Sequence, residues 1–239
     1  MSESNPWKFT TLLLFGAIIG YGFSSFAGPA PTTLETSVLD GETVGGGLEV
    51  EDEEVEEEII FVDASEDDDA FLGDADSPIV MVEFSDFQCP YCQRFVEETL
   101  PAIEANYIDT GLVKLVYRDY PLDFHANATL AAEAAECAGD GQDYWEMHDM
   151  LFERLSEWSS LPDPTDTFVA YANEIGFYTT SFSSCLENHD MLSEVQADMI
   201  EGASYGVSGT PSFFINGYMV VGAQPYEVFE QIFEAALAQ

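Results

Sequence analysis

The chain of 239 residues carries 46 Asp and Glu against 5 Lys and Arg, a formal net charge of −41. A surface of that sign repels nucleic acid and anionic lipid, which makes both poor partners for it. A hydrophobic content of 46% excludes global disorder, and the length allows one sizeable domain with appendages. Acids crowd between Glu49 and Asp76, yet the remainder is also acidic and nearly free of Lys. The charge therefore reads as whole-protein adaptation to concentrated salt, where the Debye length falls to about 3 Å at 1 M.

Residues 9–27, "FTTLLLFGAIIGYGFSSFA", contain no charge and reach bilayer-spanning length. Lys8 precedes the run and the next basic residue is Arg94, which leaves residues 1–8 in the cytoplasm and the bulk of the chain outside. An uncleaved transmembrane anchor is the preferred reading. A signal peptide cleaved near "SFAGPA", giving a secreted domain, is the alternative. Residues 28–76 begin rich in Pro, Thr and Gly and pass into "LEVEDEEVEEE", a self-repelling, flexible acidic linker. That run lacks the Asp/Asn and Gly spacing of an EF-hand loop. Within it, "IIFVDAS" at 59–65 offers an edge strand.

The folded domain is expected over 77–239. "IVMVEF" (79–84) is a nearly unbroken apolar run, as in a strand covered on both faces. A helix follows the cysteines at 89 and 92, with Pro101 expected to kink or split it. "LVKLVYRDYPL" (112–122) is a second buried strand, and a long helical pattern occupies about 124–205. "PSFFINGYMVVGA" (211–223) reads as strand, Asn216-Gly217 turn, strand, before a closing amphipathic helix. The order predicts an α/β sheet with an α-helical insertion.

"FSDFQCPYCQRF" places Cys89 and Cys92 at the strand-to-helix junction. Zinc needs further ligands at close spacing, and Cys137, Cys185 and the three His are scattered. A static Cys89–Cys92 staple closes too small a loop to restrain the unfolded chain. A redox pair of thioredoxin type fits best, and it needs neither cofactor nor metal. Pro90 suits the first helical position, so Cys89 should stand as an exposed thiolate at the helix amino terminus. Cys92, one turn in, becomes the buried resolving thiol. A fall in the Cys89 pKa from ~8.5 to ~4 would favour the reduced form by about 6 kcal/mol. That corresponds to more than about 100 mV of oxidising power. Glu83 interrupts the apolar strand. It is either an acid reaching solvent at a strand end or a partly buried carboxyl relaying protons to Cys92. His125, His148, Trp145 and Met147 read as structural.

"VEFSDFQCPYCQRFVEETLP", "VYRDYPLDFHANA", "CAGDGQDYWEMHDMLF", "FSSCLEN" and "GVSGTPSFFINGYMVVGA" resemble successive blocks of the DsbA family of thiol-disulfide oxidoreductases. The resemblance covers about residues 74–239 and implies a thioredoxin-like fold with an inserted helical domain. It implies that Pro211, after Thr210, is a cis-proline facing the active-site pair and that Glu83 is the motif's buried acid. With Pro90 and Tyr91, Thr210 and Pro211 are the candidate substrate contacts. Tyr91 departs from the His of the best-known oxidases, which leaves the potential open. Cys137 and Cys185 resemble a second pair of some members. In an oxidising compartment they would form one structural disulfide, the alternative being two buried free thiols.

The reading is then an extracytoplasmic oxidoreductase that introduces disulfides into exported thiol-containing proteins; the resemblance implies reoxidation by a quinone-linked membrane partner. A reductase or isomerase of the same fold, or a non-catalytic peptide-binding module using the Pro211 groove, are the rivals.

Overall fold

A computed structural model describes residues 61–238 apart from 140 and 177–179. Segments 1–8 and 9–27 and most of the 28–76 linker lie outside the described residues. Among the described residues, no helix is long and apolar enough to cross a membrane.

Among the described residues, five strands form one sheet: β1 (Phe71–Leu72), β2 (Ile79–Ser85), β3 (Val113–Asp119), β4 (Ser212–Ile215) and β5 (Tyr218–Val221), in spatial order β1-β3-β2-β4-β5. β2 runs parallel to β3, and every other pairing is antiparallel. The parallel pair needs a crossover, supplied by α1 (Pro90–Glu98), α2 (Leu100–Ile103) and a π-helical turn at Glu104–Ile108. Thr99 separates α1 from α2, since Pro101 has no N–H to continue the ladder. The helical insertion comprises α3 (Ala128–Ala138), α4 (Gln142–Glu153), α5 (Leu155–Trp158), α6 (Thr165–Ile175), α7 (Thr180–Asn188) and α8 (Leu192–Ser204). Helix α9 (Tyr226–Leu237) closes the domain.

Alternation along the central strand sorts its side chains into two cores. Ile79 and Met81 point into the larger core, shared with α1, α4 and α9, while Val82 and Phe84 enter a smaller one with Val116, Val207 and Phe214. Glu83 falls on the larger-core side. The β4–β5 turn has φ of 44° at Asn216 and 90° at Gly217, the left-handed pair that a two-residue hairpin requires. The Asn216 carboxamide oxygen accepts from Val80 N–H at 2.9 Å, pinning this turn beside the start of β2.

Residues before the expected boundary at Ser77 already pack on the domain. Phe61 bridges Tyr218, β1 pairs with β3, and Glu66 ion-pairs with Lys114. The Arg118 side chain is fully buried, and its guanidinium meets Asp69 at 2.6 Å, Glu201 at 2.8 Å and Asp198. The acids before the domain are therefore not all solvated spacer, because two of the few cations need them as partners. A buried unpaired charge would cost several kcal/mol.

Candidate active site

The loop leaving β2 is shaped by Asp86. Its buried carboxylate accepts from Gln88 N–H at 2.7 Å and Leu122 N–H at 2.9 Å, and it lies 2.6 Å from His125 Nδ1. Its carbonyl accepts from Cys89 N–H at 2.9 Å. Gln88 ties the same loop to the insertion, accepting from Asn127 N–H at 2.8 Å and donating to Ser159 O at 2.9 Å. Cys89 is thereby delivered as the N-cap of α1, extended at φ −80° and ψ 122°, with Pro90 at the first helical position. Proline costs nothing there, since that N–H has no helical partner.

Cys89 and Cys92 are both unbridged. Cys92 is completely covered, and burial first, then the neighbouring Cys89, pushes its thiol well above the ordinary range. Cys89 shifts the other way. A hydrogen bond from Cys92 does most to lower it to about 6, against opposing burial, with Thr210 and the backbone N–H groups of Cys92 and Tyr91 adding to the effect. The helix end thus supplies part of the stabilisation and the partner thiol the larger part. The fall stops well short of ~4.

Cys89 is only 4% exposed, less open than its place at the helix start predicts. Its Sγ lies 3.5 Å from the Thr210 carbonyl oxygen. The Thr210–Pro211 peptide bond is cis. Tyr91 is 57% exposed, and Phe124 stands out into solvent with its ring 4.5 Å from that of His125.

Glu83 does not reach solvent. It is fully buried, and neither carboxylate oxygen has a hydrogen-bond partner. Burial raises its pKa to about 8, so it holds a proton at neutral pH. Its charge contributes to the upward shift of Cys92, which places the acid within electrostatic reach of the resolving sulfur. Cys137 and Cys185 form a disulfide joining α3 to α7, with Cα atoms 5.9 Å apart. His148 is buried in an aromatic cluster with Phe87, Tyr117, Trp145 and Phe152.

Away from the cysteines, carboxylate oxygens of Asp67, Asp69 and Asp198 converge within 4.8 Å, as do those of Asp67, Asp68 and Glu194. The Arg118 guanidinium already occupies the first set.

Sequence reasoning overlooked Asp86, whose only local signal is an Asp shortly before a helix start, where Asx turns form.

This frame is a cysteine pair at the amino end of a helix leaving a central strand, one sulfur lowered and one raised, beside a cis-proline. A family model described as thioredoxin matches residues 65–235. The chain belongs to the thioredoxin family. This thioredoxin-family protein is 27% identical over 176 residues to disulfide bond formation protein D of Bacillus subtilis, covering 70% of this chain and 76% of that one. The oxidised crystal structure of BdbD from Bacillus subtilis superposes with a TM-score of 0.69 at 23% identity, covering 76% of this chain and 99% of that one. At that identity the likeness establishes the shared fold, thioredoxin-like with a helical insertion. It is also 35% identical over 181 residues to Na(+)/H(+) antiporter NhaA 1 of Salinispora arenicola. That match takes in 75% of this chain and 26% of the antiporter, so the chain spans about a quarter of that relative's length.

Proposed function

We propose that this protein is an extracytoplasmic thiol-disulfide oxidoreductase that introduces disulfides into exported proteins through Cys89 and Cys92. The observation that carries the reading is the opposed pair of sulfurs, Cys89 lowered to about 6 and Cys92 fully buried and raised. Burial of Cys92 directs a client to the Cys89 sulfur, and the lowered Cys89 pKa makes that sulfur the better leaving group in the second step.

The reaction starts from the oxidised Cys89–Cys92 pair. A client thiolate attacks Cys89 Sγ; the intramolecular S–S bond breaks, and Cys92 leaves as a thiolate that takes up the Glu83 proton. A second client thiolate attacks the client sulfur of the mixed disulfide, and Cys89 departs as a thiolate. The client loses two electrons and the protein gains them as a dithiol. Stabilising the departing Cys89 anion is what drives the oxidising direction. Thr210, Pro211, Pro90 and Tyr91 border the sulfur and form the client contact. Reoxidation falls to a quinone-linked membrane partner, which the DsbA resemblance implies. Residues 9–27 attach the domain to the membrane, or are removed to release it. Adaptation to concentrated salt belongs to the same reading, and a domain equally stable in dilute buffer and molar salt would overturn that part.

A reductase or isomerase keeps one observation in its favour. A Cys89 pKa of about 6 lies closer to the ~7 of thioredoxin than to the ~3.5 of DsbA. Equilibration with glutathione buffers decides between them. An oxidase sits well above the thioredoxin value of about −270 mV, and a potential near that value favours the rival. Cys89→Ser abolishes turnover in either enzyme and would spare a peptide-binding module.

A further inference from the structure

Arg94 is conspicuous for what it lacks. Lys114 pairs with Glu66, Arg118 with Asp69 and Asp198, and Arg154 with Glu174. Among the described residues, Arg94 is the one Lys or Arg without a carboxylate at ion-pair distance, in a chain of net charge −41. Glu97, one turn along α1, accepts instead from Gln93 at 3.0 Å.

The exposed Arg94 guanidinium is held in place by two contacts. Its carbon lies 5.1 Å from the centre of the Tyr91 ring, inside the Cys89–Cys92 motif. One Nη donates to the Ala223 carbonyl at 3.0 Å. Ala223 follows Gly222, whose N–H donates to the Pro211 carbonyl at 2.8 Å. The cation thus stands between the active-site helix and the segment that supports the Thr210–Pro211 loop. Its remaining N–H groups meet no carboxylate among the described residues and can present a planar, two-pronged donor to one, and the fixed geometry reduces the ordering cost of binding it.

We propose that Arg94, held over Tyr91, is a specificity residue that selects client segments bearing an Asp or Glu beside the cysteine they present. The inference rests on the oxidoreductase reading. An acidic client meets a repulsive surface nearly everywhere else on this protein, so one uncompensated guanidinium at the rim of the site biases which chains dock productively.

The test uses the oxidised full chain and two synthetic dithiol peptides that differ only in carrying Asp or Lys next to the cysteines. Rates of peptide oxidation are compared at about 1 M salt, where long-range repulsion is screened to about 3 Å while direct contacts persist. Exposed ion pairs are weak, so Arg94→Gln should lower the Asp-to-Lys rate ratio about two- to fivefold. Arg94→Glu should lower it further, and Arg94→Lys should keep part of the preference. A residue that only ties α1 to Ala223 would slow both peptides alike, and an unchanged ratio in Arg94→Gln and Arg94→Glu overturns the inference while leaving the oxidoreductase reading intact. Failure to oxidise either peptide overturns both.

Discussion

Glu83 and Tyr117 stand opposite each other in the parallel register of β2 and β3, both fully buried, and neither the carboxylate nor the phenol has a hydrogen-bond partner. Two unsatisfied polar groups side by side under the active-site helix are costly, and the carboxyl limits the cost by staying protonated.

The pH dependence follows from that proton. Unfolded, Glu83 ionises near 4.5; folded, its pKa is about 8. Between those values the folded state holds a proton that the unfolded state has released, so stability is present below about 4.5 and is lost as pH rises towards 8. Glu83→Gln removes this loss and should raise stability at pH 7 by about 3 kcal/mol. The same variant should slow client oxidation by about tenfold or more, because Cys92 loses its proton source. Urea unfolding across pH 4–9 checks the first effect. A parallel pH slope in both proteins would show that Glu83 does not titrate this way.

Alkylation of the reduced protein with iodoacetamide should titrate near pH 6 at Cys89, with Cys92 unreactive. The sign for stability is opposite to that of Glu83, since the folded pKa lies below the ordinary thiol value. The stabilisation that the thiolate gives the reduced form is complete above about pH 9 and fades as pH falls through about 6. The stability of the reduced relative to the oxidised protein should therefore climb across that window. A single titration near 9 would show an ordinary thiol.

Joining Cys137 to Cys185 closes a loop with a sequence separation of 48. In the chain-entropy account this stabilises the fold by about 4 kcal/mol. The double variant Cys137→Ala/Cys185→Ala should lower the urea midpoint accordingly. The Cys89 alkylation midpoint should stay in place, because the bridge lies within the insertion.

Gly202 in α8 tests the smaller core. A Cβ added there would lie 2.8 Å from Phe84 Cδ1 and 3.0 Å from Tyr120 Cδ2. Both rings are locked in edge-to-face contact, 6.3 Å apart. Gly202→Ala should cost about 1–3 kcal/mol despite the better helix former. Phe84→Leu should recover part of the loss by making room, whereas an unaltered melting temperature in Gly202→Ala would show that the rings yield freely.

How much of this was legible in the sequence depends on how local the physics is. Cys89, Pro90 and Cys92 declare a helix start through backbone rules that span four residues, and the Asn216-Gly217 turn is equally self-contained. The unbroken run from Ile79 to Phe84 marks a strand buried on both faces, but for that reason it cannot say whether Glu83 meets water. The Asp86–His125 contact joins residues 39 apart, and the Arg118 cluster draws on carboxylates from before β1 and from α8. Neither leaves a periodic trace. The acidic stretch before Ser77 reads as solvated linker because composition alone cannot show that three of its carboxylates, Glu66, Asp67 and Asp69, are matched to Lys114 and Arg118.

The hairpin turn at Asn216-Gly217 fixes an orientation. Val62 N–H donates to Gly217 O at 2.9 Å, so the chain enters the domain at the pole where β2 begins. Cys89 sits past the other end of that strand, roughly 20 Å away by strand rise. The turn that receives Val62 and the reactive sulfur therefore occupy opposite ends of the central strand.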